Sequence, residues 1–170
     1  MSRGTSPARF IAIAAVAACQ ADGPITDANS WGYVAQGDMF PEHAAAYADC
    51  SFADAGSFYQ EGLLLEVETG SCGYMTLEQP ALHAVPRGTI LRWTVAHADL
   101  IFAEQAEAHV AIGLGDEVLW DFNVQIPFPA EVFALEATTT ARVPEGAPVR
   151  IHLHNHGQNT WTFFEVQDLP

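Results

Sequence analysis

The chain has 170 residues, of which 21 are acidic and only 6 are lysine or arginine, so its formal net charge at pH 7 is −15. Because 49% of the residues are hydrophobic, a chain of this length can bury one core of ordinary domain size without a structural metal. A surface this acidic repels phosphate backbones, which excludes nucleic acid as a partner, and it repels anionic lipid. Neutral ligands such as glycans, or divalent cations such as Ca²⁺, fit it better.

The N-terminus has the layout of an export signal. Arg3 and Arg9 precede a short apolar run over residues 10–18, which ends in the small residues before Cys19. The run is too short to span a bilayer, which takes about 20 apolar residues. Two alternatives stay open: plain secretion with cleavage after Ala17 or Ala21, and a buried first helix of a cytosolic domain.

Val16-Ala17-Ala18-Cys19 resembles a lipobox, the signature of bacterial lipoproteins. The resemblance implies cleavage before Cys19, a lipid on that cysteine as the contact with the membrane, and, with Gln20 following, sorting to the outer membrane. We therefore divide the chain into a signal peptide (1–18), a lipidated cysteine and tether (19–49), and one domain (50–170).

The tether assignment depends on composition. Residues 20–24 are small, polar and turn-forming, as a flexible tether should be. Trp31, Tyr33 and Phe40 are more apolar than a tether needs, which favours their packing on the domain that follows.

Two cysteines remain once Cys19 is assigned to lipid. An even pair in an exported protein predicts a disulfide between Cys50 and Cys72, worth about 3 kcal/mol by the chain-entropy argument. The alternative is two free buried thiols. No C-x-x-C is present, so the cysteines do not indicate redox catalysis.

Short alternating segments separated by turn residues fill the chain from Leu63 onward. Such a pattern, with almost no helical periodicity, predicts an all-β fold: an antiparallel two-sheet sandwich, with eight strands favouring a jelly roll. The predicted strands are 63–68, 74–79, 90–97, 107–114, 118–126, 133–141, 149–156 and 159–166.

One strand concentrates histidine. In residues 149–156 the apolar side chains alternate inward, so His152, His154 and His156 should project together from the outer face, about 6.6–7 Å apart. In jelly-roll order this strand lies between 74–79 and 107–114, with 118–126 beyond. The sequence therefore predicts a polar, partly aromatic patch on an exposed sheet face.

Three hypotheses account for that patch. A glycan or other small polar ligand could use the hydroxyl, imidazole and amide groups of the predicted ligand-binding set. Zinc or copper could be held by a predicted metal set, with Glu78 or Asp121 as further ligands, and such a site could be catalytic. The third is a solvated face without a ligand. The ligand-binding set is Tyr74, Thr76, His109, Asn123, His154 and His156, and the metal set is His109, His152 and His154.

Motifs of common catalytic sites are absent from the sequence. It contains no G-x-S-x-G, P-loop, G-x-G-x-x-G or H-E-x-x-H. In outline the domain resembles jelly-roll modules of the galactose-binding-like and carbohydrate-binding kinds, which implies a non-catalytic binding protein without a cofactor. A structural envelope lipoprotein that acts through protein–protein contacts is the remaining alternative.

Overall fold

The computed structural model describes residues 23–34, 39–40, 58–70 and 73–169, and these form strands without any helix. None of them lies in a helix long and apolar enough to cross a membrane. The strands are β1 (Gly32–Tyr33), β2 (Phe58–Glu61), β3 (Leu64–Glu68), β4 (Tyr74–Pro80), β5 (Ile90–His97), β6 (Ala106–Leu114), β7 (Glu117–Ile126), β8 (Glu131–Thr138), β9 (Pro148–His154), β10 (Thr160–Phe164) and β11 (Gln167–Leu169).

The strands pair into two antiparallel sheets. The first sheet has the order β1-β4-β9-β6-β7. In the second, β5 pairs with β8 along its whole length on one side, and with β10 and then β11 on the other. Strands β3 and β2 continue that sheet beyond β10. From β3 to β10 successive strands alternate between the two sheets, except that β6 and β7 form a hairpin within the first sheet, as in a jelly roll.

The predicted fold class is confirmed. All eight predicted strands are present as β3 to β10, and β1, β2 and β11 are additional edge strands that are too short to carry a clear alternation. The histidine strand, β9, lies between β4 and β6 with β7 beyond, as the jelly-roll order predicts.

Large aromatic side chains fill the space between the sheets. Trp93 on β5 stacks on Phe163 with ring centroids 5.5 Å apart, and it also meets Trp120 of the first sheet at 5.7 Å. The Trp93 indole N–H donates to the carbonyl of Phe164 at 3.0 Å, so its polar atom is satisfied in the core. The inward alternation of apolar residues thus holds the two sheets face to face.

The segment over residues 24–33 belongs to the domain. Ile25 is fully buried and donates its backbone N–H to the carbonyl of Val166 at 2.7 Å, and Trp31 is 4% exposed. Strand β1 pairs with β4. The prediction of a tether up to residue 49 is therefore wrong for these residues, because their apolar side chains complete the core.

Several sequence predictions lie outside the described residues. These are the signal peptide over 1–18, the lipidation of Cys19, and the disulfide between Cys50 and Cys72. They stay predictions.

Candidate functional site

Four strands of the first sheet bring the predicted ligand residues into one row. Tyr74 on β4 is the register partner of His154 on β9, and His154 is the partner of His109 on β6. His109 in turn is the partner of Asn123 on β7. Because register partners in a sheet lie side by side, four of the six predicted residues line up across the outer face.

A second row lies one pleat further along the same face. It runs from Thr76 on β4 to His152 on β9, Ala111 on β6 and Asp121 on β7. The two rows together place three histidines among a tyrosine, a threonine and an aspartate.

This face is covered, and the prediction of an exposed patch is wrong for most of it. The ring of Phe40 lies 4.6 Å from the His109 ring and 4.7 Å from the His152 ring, measured between centroids. Met39 lies over the same sheet, since a Cβ built on Gly113 would fall 2.5 Å from its sulfur. The buried members are Tyr74 (4% exposed), Thr76 (1%), His109 (9%), His152 (0%) and His154 (7%).

The β7 side of the face stays open. Asp121, Asn123 and Gln125 are exposed there. His109 Nε2 lies 2.7 Å from Asp121 Oδ1, so the imidazole N–H donates to the carboxylate and the ring orientation is fixed. The Gln125 amide donates to the carboxylate of Glu107 at the end of the same edge. We call Asp121, Asn123 and the neighbouring ring of His109 the open edge.

Two hydroxyls beneath the cover have no hydrogen-bond partner among the described residues. They are Tyr74 Oη and Thr76 Oγ1, and both are buried. Leaving a buried hydroxyl without a partner costs about 1–3 kcal/mol. Buried polar side-chain atoms without a partner are few in native proteins.

His156 does not join the row. Strand β9 ends at His154, so the alternation that was predicted to carry His156 onto the same face stops there. The His156 ring instead packs 4.8 Å from His154 and 5.7 Å from Phe102, in the loop between β5 and β6. It lies at the end of the sandwich.

The predicted metal set is brought close but is not arranged as a metal site. The rings of His109 and His152 have centroids 4.9 Å apart. Within the described part of the chain, no group of three or more His, Cys, Asp or Glu side chains could hold a metal ion. The zinc or copper hypothesis stays a prediction.

A network of side-chain hydrogen bonds lies at the end of the sandwich. The sequence indicated it only weakly. The buried amide of Asn155 donates to Thr69 Oγ1 at 2.8 Å and accepts from the indole N–H of Trp161 at 3.1 Å. Asn159 donates to the carbonyl of His156 at 2.7 Å. The two asparagines flank Gly157, whose φ of 85° shapes the β9–β10 turn. The asparagines on either side of Gly157 are the sequence pattern from which this network could have been predicted.

Comparison with solved structures finds similar sandwiches at low identity. A structure described as CBM4 is 11% identical with a TM-score of 0.48, over 84% of this chain and 89% of that one. The N-terminal cellulose-binding domain of the Cellulomonas fimi β-1,4-glucanase C is 12% identical with a TM-score of 0.44, over 68% and 85%.

A third example is the family 11 carbohydrate-binding module from Clostridium thermocellum, solved with a β-1,3-1,4-mixed-linked tetrasaccharide. It is 9% identical with a TM-score of 0.39, over 88% of this chain and 97% of that one. These values are too low to transfer a ligand or an activity. No family model and no curated protein matches the chain.

Proposed function

We propose that this chain is a non-catalytic binding module whose ligand is a glycan or another small polar molecule, held at the open edge of the first sheet. The observation that carries the proposal is the register of Asn123 with His109, whose ring is oriented by Asp121. An exposed amide, an exposed carboxylate and a fixed imidazole thus meet at one place.

The chemistry of these groups suits hydroxyl-rich ligands. A carboxylate accepts from hydroxyls, an amide both donates and accepts, and the half-buried ring of Phe40 offers an apolar wall beside them. The position of His109 is set before a ligand arrives, which lowers the entropy lost on binding.

Calorimetric titration with soluble oligosaccharides tests the proposal. We expect Asn123→Ala and Asp121→Asn each to weaken binding about tenfold, because each removes a hydrogen-bonding partner of the ligand. Thr138→Ala is the matched control, since Thr138 is an exposed polar residue on β8 of the other sheet. Equal affinities in all four proteins, or no binding in the millimolar range across a glycan array, would refute the proposal.

The location of the protein is a second part of the proposal. The lipobox-like Val16-Ala17-Ala18-Cys19 supports export, lipid attachment at Cys19 and anchoring to a bacterial membrane, with Gln20 favouring the outer one. Growth with an alkyne-labelled fatty acid should label the wild-type protein, and Cys19→Ser should abolish the label. Unlabelled protein in the culture medium would instead indicate plain secretion.

A further inference from the structure

An open cleft lies at the end of the sandwich where the β5–β6 loop meets the β9–β10 turn. Its volume is about 630 Å³. It is separate from the open edge, because none of its lining residues belongs to β6 or β7. The lining residues are Glu68, Ile101, Phe102, Ala103, Gly157, Gln158 and Thr160.

One wall of the cleft is apolar and exposed. Ile101 is 64% exposed and Phe102 is 41% exposed, although both are large hydrophobic residues. One side of the Phe102 ring packs on His156, at a centroid distance of 5.7 Å. Exposed apolar groups beside polar ones are typical of binding surfaces.

The wall is held in place by the turn behind it. The backbone N–H of Ile101 donates to Asn159 Oδ1 at 2.7 Å. Gly157 touches the carbonyl of Ile101 so closely that a Cβ built there would overlap it. Just before Ile101, Leu100 exchanges backbone hydrogen bonds with Phe128 at 2.8 and 3.1 Å. The loop is therefore fixed at several points.

The lining of the cleft also includes a carboxylate. Glu68 Oε1 accepts from the Thr160 hydroxyl at 2.6 Å. None of the ion pairs found among the described residues involves Glu68, whereas Arg92 and Arg150 are paired with Glu136 and Glu78. The Glu68 carboxylate thus lines the same cleft as Phe102 and forms no ion pair within the described chain.

We propose that this cleft binds the guanidinium side chain of an arginine in a partner peptide. A planar guanidinium can lie along the aromatic ring of Phe102 while its N–H groups reach Glu68. Its aliphatic stem would contact Ile101, and the side-chain amide of Gln158 lies at the same cleft. The charge of −15 favours approach of a cationic partner over an anionic one.

Charge distinguishes this ligand from a neutral sugar. Both could donate to Glu68, but only the cation gains from the carboxylate charge, so its binding should weaken as salt is added. The proposal is independent of glycan binding at the open edge. Asn123→Ala should leave peptide binding unchanged, which keeps failure of one proposal separate from failure of the other.

An NMR titration of the full domain with a blocked Gly-Arg-Gly peptide tests the inference. We expect saturable shifts at Phe102, Glu68 and Gln158, and an affinity about tenfold higher than for the peptide with citrulline, the uncharged isostere of arginine. Glu68→Gln should reduce arginine-peptide binding to the citrulline level, because it keeps the contact with Thr160 but removes the charge.

Glu66→Gln is the matched control, since Glu66 is on the same strand and the same face but does not line the cleft. It should leave binding unchanged, while Phe102→Ala should weaken it and Phe102→Trp should retain it. The inference would be overturned by equal binding of the arginine and citrulline peptides, by shifts confined to another surface, or by no binding in the millimolar range. Displacement of the peptide by a neutral oligosaccharide at the same residues would assign the cleft to sugars.

Discussion

A single buried amide does most to connect the two ends of the β9–β10 turn. Asn155 is 2% exposed and reaches Thr69 on the neighbouring β3–β4 turn as well as the indole of Trp161 in the core. Its amide also donates to the carbonyls of His156 and Gly157, at 3.0 and 3.2 Å. Every polar atom of that side chain is used, as a buried amide requires.

Asn155→Ala should therefore be strongly destabilising. It leaves the Trp161 N–H without its acceptor and removes the amide's donation to the His156 and Gly157 carbonyls, so we expect a loss of about 2–4 kcal/mol in the free energy of unfolding. Urea unfolding followed by tryptophan fluorescence measures it. Asn123→Ala, at an exposed position, should change stability by less than about 0.5 kcal/mol. Comparable losses of unfolding free energy in Asn155→Ala and Asn123→Ala would show that the buried hydrogen bonds of Asn155 do not stabilise the fold.

Asp27 makes a pH-dependent contribution to the stability of the folded protein. Its carboxylate accepts from the backbone N–H of Asn29 at 2.9 Å and from the Ser30 hydroxyl at 2.8 Å. These bonds, the backbone one first, hold the pKa of Asp27 below its ordinary value. The folded chain then binds fewer protons than the unfolded one, so the contribution is present above the ordinary pKa and is lost as pH falls through the folded pKa.

The variant Asp27→Asn tests the predicted direction of this change in stability with pH. The wild type should unfold at a higher temperature than the variant at neutral pH, and the gap should narrow as pH falls below about 4, where unfolded aspartate protonates. Ser30→Ala, which removes one of the three hydrogen bonds to the Asp27 carboxylate, should give a smaller gap with the same pH trend. A gap that is constant from pH 7 to acid would show that the carboxylate does not contribute through its charge.

At the scale of elements, Gln79 ties the N-terminal segment to the first sheet. Its side-chain oxygen accepts from the backbone N–H of Asp27 at 2.8 Å, and its amide donates to the Asp27 carbonyl at 3.1 Å. Gln79 itself is 2% exposed on β4. One side chain thus satisfies both backbone groups of a residue in a turn that has no strand to pair with.

Gln79→Ala should loosen this segment selectively. We expect a loss of about 1–3 kcal/mol in unfolding free energy, since the Asp27 N–H loses its acceptor and the Asp27 carbonyl keeps only the N–H of Ser30. Amide exchange measured by NMR should accelerate most at Ile25 and Asp27, whereas β6 should keep its protection. Gln125→Ala, at an exposed position, is the control. Uniform acceleration across both sheets would show that Gln79 acts on the whole fold instead.

Strand alternation predicted the sheets well because it reports burial on one face directly. Leu91, Trp93 and Val95 alternate with polar or small neighbours, and all three are buried. The cover over the histidines could not be predicted in this way. Phe40 reaches the outer face from a segment without periodicity, so its contact with His109 is tertiary packing between residues far apart in sequence.

The candidate site likewise has features that could be predicted from the sequence and features that could not. The register that aligns Tyr74, His154 and His109 follows from jelly-roll topology and could be predicted. The cleft beside Phe102 could not, since it forms between two loops whose geometry depends on Asn159 and Gly157. Loop positions lack the repeating pattern from which strands are recognised.

At the scale of the whole molecule, the sandwich combines an apolar core with an excess of negative charge. The sequence has 21 acidic residues against 6 basic ones. Two of the arginines, Arg92 and Arg150, already pair with glutamates. The remaining acidic side chains repel one another more in the compact fold than in the expanded chain.

Added salt should therefore stabilise the protein. Screening shortens the range of this repulsion from about 30 Å at 0.01 M to about 8 Å at 0.15 M ionic strength, so the thermal unfolding midpoint should rise over that interval. Choline chloride and sodium chloride should act alike, because the effect depends on ionic strength and not on a bound cation. A rise with calcium chloride that exceeds its ionic-strength contribution would instead reveal a divalent-cation site, and a midpoint that falls with every salt would show that attractive ion pairs outweigh the repulsion.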